Sequence, residues 1–527
     1  MNLKNFFMAV ALLAAMPLYS QKEALRAITL KDSEEYMKFL SSDNLEGRRT
    51  GSEGNSIAAD YIRTEALRLG LKPLPGQTDL YQPLKYLRVS IVPGEARMTL
   101  RDTNAYFIHT ADIMSLMAPG DTVKLGGEVV FAGYGYTNSK EKYNDFAGIS
   151  VKDRIVIVMT RVPEISGSGM PETGSGISEM TEVRKLPMIM LQQAKAILYV
   201  ADPALGKDIS SDLLSMGSPF QLVPLFRKQM FNYSVNAYAI TMEMADIMLS
   251  RSGVTLKELQ DSIASSRKPA SFIIPNLRSY VNINVVKDTV TSNNVIGYIE
   301  GSDPELKNEA VMFTAHYDHV GKDAGGNIFN GANDNASGSV GLLNIAAGFS
   351  ALKEKPARST IFFWTTGEEE GLHGSTYYVE NPLFPLNSTV ATLNFDMIGR
   401  SRRDTDVGSS LSGEIDITGR DTIKIIHGAD CPELISFATG ACVESEIFPI
   451  DEGKGTHFSG SDHYPFFRKK IPVLFFFTGL HKDYHKPSDD FEFIDFEKLV
   501  KVSKAGFLTG YRVASQPVFP SKEKKQD

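Results

Sequence analysis

Hydrophobic positions change rhythm twice along this chain. Residues 32–70 carry apolar side chains at helical spacing, most regularly over 57–69, and Asp32-Ser33-Glu34-Glu35 reads as a helix start. From about 90 to 280, short apolar stretches at 129–132, 155–159, 196–200 and 237–242 alternate with turns. That texture predicts a β-rich unit with a few helices. The stretch 166–178, rich in Gly and Ser around Pro171, predicts flexible surface. From about 281 onward, apolar runs at 311–315, 360–365, 390–395 and 473–477 alternate with helical stretches such as 340–349. This alternation predicts an α/β fold, a mixed central sheet with helices on both faces. Ligands of such sheets bind beyond the strand ends.

Length and composition add organisation. The 527 residues, 42% of them hydrophobic, exceed one ordinary domain and predict two. The divisions fall at 1–20, a signal peptide; 21–90 with 281–520, one discontinuous domain; and 91–280, an inserted β-rich domain. Charged residues make up 22% with both signs mixed, which argues against wholesale disorder. The net charge is -8 and no basic stripe occurs, which counts against nucleic acid as a main partner. Near the N-terminus, Lys4 precedes an apolar run over 6–18, and Ser20 precedes Gln21. A basic start, a short apolar run and a small exit residue predict a secretory signal. The run is too short to span a bilayer comfortably, and no later segment is long and apolar enough. The expectation is an exported protein, periplasmic or secreted, with no stable membrane anchor. In that setting Cys431 and Cys442 are expected to pair, with two buried free thiols as the alternative.

Metal-type residues collect where the apolar runs end. His316 closes 311–315, and Asp318 lies two positions on, pointing the same way in a strand. Asp334 sits in Asn330-Gly331-Ala332-Asn333-Asp334-Asn335-Ala336-Ser337-Gly338, ahead of a helical run. A plain helix N-cap explains it equally well. Glu368, Glu369 and Glu370 follow the apolar run over 360–365; adjacent carboxylates there repel unless cations lie nearby. Glu370 reads as a solvated turn residue. Asp396 follows 390–395, and Tyr484-His485 follow 475–480. Taken singly, each of these residues is unremarkable. Together, two histidines and three carboxylates suit two ions with a bridging carboxylate better than one zinc, which usually takes three protein ligands plus water. Two further segments are read blandly. The glycine-rich 45–54 is an ordinary turn because no strand precedes it, and Arg400, Arg402 and Arg403 form a solvated basic loop.

The strings His316-Tyr-Asp318, Gly331-Ala-Asn-Asp334-Asn-Ala-Ser-Gly338, Gly367-Glu368-Glu369-Glu370-Gly371-Leu-His-Gly374-Ser375 and Tyr484-His485-Lys486-Pro487 resemble the co-catalytic zinc aminopeptidases of peptidase clan MH. The resemblance spans roughly 281–515 plus the helices around 32–75. The stretch 127–275 more weakly resembles a protease-associated domain, through 143–148 and 152–158. The family pattern implies two Zn2+ ions. His316 and Asp396 would hold one, Glu369 and His485 the other, and Asp334 would bridge them. Asp318 would support the ligands from outside. Glu368 would be the general base, and Tyr484 would polarise the carbonyl of a peptide substrate. Two alternatives stay open: a carboxypeptidase of the same clan, with the arginines gripping a substrate carboxylate, and an inactive binding homologue.

Overall fold

The computed structural model describes residues 21–519, apart from 93–96, 101–105, 109–112, 116–120, 164–178, 207–219, 227–235, 324, 411–412 and 429–430. The expected signal peptide and the loop 166–178 lie outside the described residues.

The main sheet has nine strands: β1 (Tyr81–Ile91), β2 (Phe220–Pro224), β3 (Val285–Ile299), β4 (Ala310–His316), β5 (Ser359–Thr365), β6 (Thr389–Phe395), β7 (Thr422–His427), β8 (Phe448–Gly453) and β9 (Val473–Phe477). Their order across the sheet is β2-β1-β3-β5-β4-β6-β9-β7-β8. The central strands β5, β4, β6 and β9 run parallel, so their C-terminal ends share one edge. The register aligns His316 with Thr365, Thr314 with Asn394, and Phe395 with Phe476. This alignment brings segments distant in sequence to one place.

Each central strand is apolar on both sides, and its neighbours divide by parity. Phe313, Trp364, Phe395 and Phe476 join the core beneath the helices Leu30–Leu40, Glu53–Arg68, Gly338–Ala351, Pro432–Glu444 and Phe496–Ser515. Met312, Phe363 and Phe475 face the opposite core with Tyr378 and Phe466, from the helices His373–Glu380 and His463–Arg468. The two-residue period of a strand thus sends alternate side chains into two separate cores. The expected mixed sheet with helices on both faces is the observed architecture. Among the described residues, no helix is long and apolar enough to cross a membrane.

A second sheet, of eight strands, is built from residues between Arg97 and Ile283, with Val123–Phe131 and Ile155–Met159 at its centre. Its core collects Phe131, Ile157, Leu198 and Ile240. Strand β2 lies within this stretch of the sequence, yet it pairs with β1 at the edge of the main sheet. The long strands Phe272–Ile283 and β3 follow one another almost directly and lead from the second sheet into the first.

The expected disulfide is not formed: Cys431 and Cys442 are buried free thiols. Cys431 caps the helix Pro432–Glu444 and Cys442 lies near its far end. Eleven positions along a helix rise about 16 Å, far beyond the ~7 Å between Cα atoms that a bridge tolerates.

Candidate metal centre

The parallel strand ends deliver the acidic and imidazole groups to one edge. His316 is the last residue of β4, Asp396 follows β6 directly, and Glu368 and Glu369 lie three and four residues past β5. His485 comes from the loop beyond β9, with φ at 53°. Asp334 lies in the turn before the helix Gly338–Ala351.

Asp334 stands between the two histidines. Its Oδ1 is 3.4 Å from His316 Nε2, and its Oδ2 is 3.1 Å from His485 Nε2. Asp396 Oδ1 lies 3.4 Å from His316 Nε2, and Glu369 Oε2 lies 3.1 Å from His485 Nε2. Three overlapping donor groups result: His316, Asp334 and Asp396; Asp334, Glu369 and His485 with His319; and His316, Glu368 and Glu369. Two ligands bound ~2.0–2.1 Å from a tetrahedral zinc keep about 3.3 Å between them. The separations of 3.1 and 3.4 Å match that spacing. His316 Nε2, His485 Nε2 and Asp396 Oδ1 are buried and make no hydrogen bond, although each faces another donor group. Buried polar atoms left this way are costly unless a cation satisfies them, so the residues fit a pair of zinc ions.

Neighbouring groups orient these side chains. His316 Nδ1 is 3.1 Å from the Asp318 carbonyl oxygen, which leaves Nε2 facing the carboxylates. The Asp318 carboxylate accepts the backbone N–H of Glu368 at 3.2 Å and of Glu369 at 3.3 Å, and so holds the diglutamate turn. Burial pushes Asp318 up to about 7. Ser461 donates to Asp396 Oδ2 at 2.7 Å. The two adjacent glutamates are driven apart. Burial raises Glu368 well above the usual carboxylate range. Burial also works against the Glu369 anion, but the facing His485 and His319 outweigh it and hold Glu369 well below that range. Tyr484 stacks on His485 with ring centroids 3.9 Å apart. Burial, and then the charges of Asp334 and Glu369, keep its phenol protonated.

The polar residues around Asp334 are backbone ties. Asn335 Oδ1 accepts the N–H of Gly338 and of Met397, and its Nδ2 donates to the Phe395 carbonyl. Asn333 Oδ1 accepts the Gly399 N–H at 2.8 Å, and Ser337 Oγ accepts that of Ile398 at 2.9 Å. The Asp334 turn is thereby laced to the segment that carries Asp396. From the other side, Asp489 accepts the N–H groups of Asn333 and Asp334 at 3.0–3.2 Å. The helix that follows is preceded by Ser337, so Asp334 is not its N-cap.

The glycine-rich 45–54, expected to be an ordinary turn, proves to be a brace. Arg48 is fully buried. Its guanidinium donates to the carbonyls of Tyr317, Asn330 and Gly331 at 2.6–3.1 Å, and to that of Leu40. Thr50 donates to Asp318 at 2.9 Å, and Arg49 donates to Glu370 at 3.1 Å. Glu370 is therefore paired and not merely a solvated turn residue. Arg48→Ala should destabilise the protein by at least about 2 kcal/mol, since buried carbonyls lose a charged donor. Chemical denaturation measures it; Arg48→Lys, whose compact ammonium cannot fork across the same carbonyls, should recover only part of the loss.

The arginines after Asp396 also depart from the expected solvated loop. Arg400 is wholly buried and pairs with Asp483 at 2.6 Å and Asp489 at 3.3 Å. Arg403 pairs with Asp483 and lies over the Phe493 ring. Only Arg402 is exposed. One residue beside the site escaped the sequence reading altogether: His319, buried, with Nδ1 2.7 Å from Glu369 Oε1.

Comparison with known proteins fits this geometry. Residues 294–507 match the model of Peptidase family M28. Over 206 residues the chain is 34% identical to Leucine aminopeptidase 2 of Trichophyton equinum, covering 38% of this chain and 36% of that one. It is 34% identical over 197 residues to Leupeptin-inactivating enzyme 1 of Streptomyces exfoliatus, covering 37% of each. The matched stretch thus spans little more than a third of these relatives. Among solved structures, an aminopeptidase from Aneurinibacillus sp. strain AM-1 superposes with a TM-score of 0.59 at 19% identity, covering 95% of this chain and 98% of that one. BSAP, a zinc aminopeptidase from Bacillus subtilis, gives 0.56 at 16% identity, covering 94% and 97%. These two likenesses establish the fold. The segment that matches the model of Peptidase family M28 runs from β3 into the last helix and contains every residue of the candidate centre.

Proposed function

We propose that the protein is a two-zinc aminopeptidase that removes N-terminal residues from peptides. The observation that carries this reading is the double exposure of Asp334, with one carboxylate oxygen toward His316 and the other toward His485. His316, Asp334 and Asp396 would hold one ion, and Asp334, Glu369 and His485 the other. Zinc bound there supplies Lewis acidity and an activated water at neutral pH.

The protein's own groups then handle position and protons. Glu368 lies 3.9 Å from His316 Nε2 and within reach of both His316 and Glu369, at the border of the two proposed ion sites. It takes the proton of the attacking water and returns it to the leaving amine, and its raised affinity for protons suits that exchange. Tyr484, kept protonated, donates to the oxygen that gains charge as the carbonyl is attacked. Asp318 fixes the backbone from which Glu368 and Glu369 project. For the carboxypeptidase alternative, Arg400 and Arg403 are already committed to Asp483 and Asp489, which leaves only the exposed Arg402 of the three arginines to meet a substrate carboxylate. Export, which rests on the composition of residues 1–20, belongs to the same proposal, as does an inserted protease-associated-like unit over 91–280.

Three substrates test the reaction: an aminoacyl anilide with a free α-amine, its N-acetyl derivative, and an N-blocked peptide with a free carboxylate. Only the first should turn over, and chelation should abolish it. Turnover of the N-blocked peptide alone would replace this reading with a carboxypeptidase.

A further inference from the structure

We infer that His319 is a positioning residue of the metal centre, holding the outer oxygen of Glu369 so that this glutamate meets an ion through Oε2 alone. The inference rests on the two-zinc reading above. His319 Nδ1 is 2.7 Å from Glu369 Oε1, while Oε2 of the same carboxylate is 3.1 Å from His485 Nε2. The two oxygens thus face different histidines. The shorter separation is that of a charge-assisted hydrogen bond. It falls well below the ~3.3 Å kept by two ligands of one tetrahedral zinc, a spacing that the other donor pairs do keep. His319 Nδ1 is also 3.7 Å from Asp334 Oδ2, further than His485 is. His319 therefore donates to a ligand and does not share its ion, and donation places the proton on Nδ1.

The ring has little freedom to do anything else. Its backbone N–H points at the Arg48 carbonyl at 3.4 Å, and its edge lies against Gly331. A Cβ at position 331 would come within 2.4 Å of His319 Cδ2, and φ there is +55°, so glycine is what allows the ring to sit where it does. The His485 ring stands edge-on at 5.4 Å. With Oε1 tied back, Glu369 cannot chelate through both oxygens. The coordination position that a second oxygen would fill is kept for water or the substrate carbonyl, as a catalytic zinc needs.

The test uses His319→Asn, His319→Gln and His319→Ala in the full chain. Asparagine can place an N–H donor the same number of bonds from Cα as Nδ1, glutamine places it one bond further, and alanine has none. Zinc affinity is measured by competition with a chromophoric chelator, alongside kcat, KM and the thermal stability of the zinc-free protein. For one of the two ions, His319→Ala and His319→Gln should lower affinity about 10–100-fold. His319→Asn should restore most of it, and the other ion should be unaffected. Equal affinity in all three variants overturns the inference. So does failure of His319→Asn to rescue, which would make the imidazole a direct ligand, or a loss confined to thermal stability, which would make it packing. Wild-type protein that binds no zinc would instead sink the two-zinc reading itself.

Discussion

Glu368→Gln should leave two equivalents of zinc on the protein and lower kcat by about 10²–10⁴-fold. Glu368 sits at the border of the two proposed ion sites, 3.9 Å from His316 Nε2, with its backbone N–H bound to Asp318. Glutamine keeps the volume and this backbone contact but cannot accept and return a proton. Burial raises Glu368 while two histidines lower its neighbour Glu369, so the pair divides into a proton carrier and a permanent anion. KM should change little, because the substitution removes a group that acts in the transition state. Elemental analysis and steady-state kinetics on the same preparation check both halves. A fully active variant would remove Glu368 from the mechanism.

Asp334→Ala should strip both ions together and reduce activity by at least about a thousandfold, since several kcal/mol of metal-derived stabilisation vanish. No other residue of the centre faces both histidines through separate oxygens. Asp396→Ala, by contrast, touches only the His316 group and should cost one ion. Inductively coupled plasma analysis after dialysis against trace zinc distinguishes the two patterns. Circular dichroism confirms that the Asp334→Ala chain is folded. Should Asp334→Ala retain one tightly held ion, the bridge does not exist.

Much of this centre could be read from the chain because strand physics marks it. His316, Asp396 and the Glu368–Glu369 pair each end an apolar run, and parallel neighbours must finish at the same edge. What escaped notice lacks such punctuation. His319 follows Asp318 with no periodic signal, and its partner Glu369 lies 50 residues away. Arg48 is 269 residues from the Tyr317 carbonyl that it holds, so nothing local distinguishes it from a solvated turn arginine. Arg400 and Arg403 look like a basic loop until Asp483 and Asp489 arrive from beyond β9. Strands β1 and β3 were also missed, because their exposed polar positions break up the continuous apolar run that a central strand displays. The cysteines mislead for a related reason: compartment predicts pairing, whereas a shared helix forbids it.

The buried guanidinium of Arg48 sets the limits of independence for the segment that carries the candidate centre. Residues 294–507 contain all five candidate ligands, yet the carbonyls flanking two of them are gathered by a side chain supplied more than two hundred positions earlier. During synthesis the clasp emerges first and His485 last, with the entire second sheet made between them. The five side chains are therefore held together only once Arg48 and the stretch beyond β9 have both arrived, so closure of this cluster depends on contacts between distant parts of the chain.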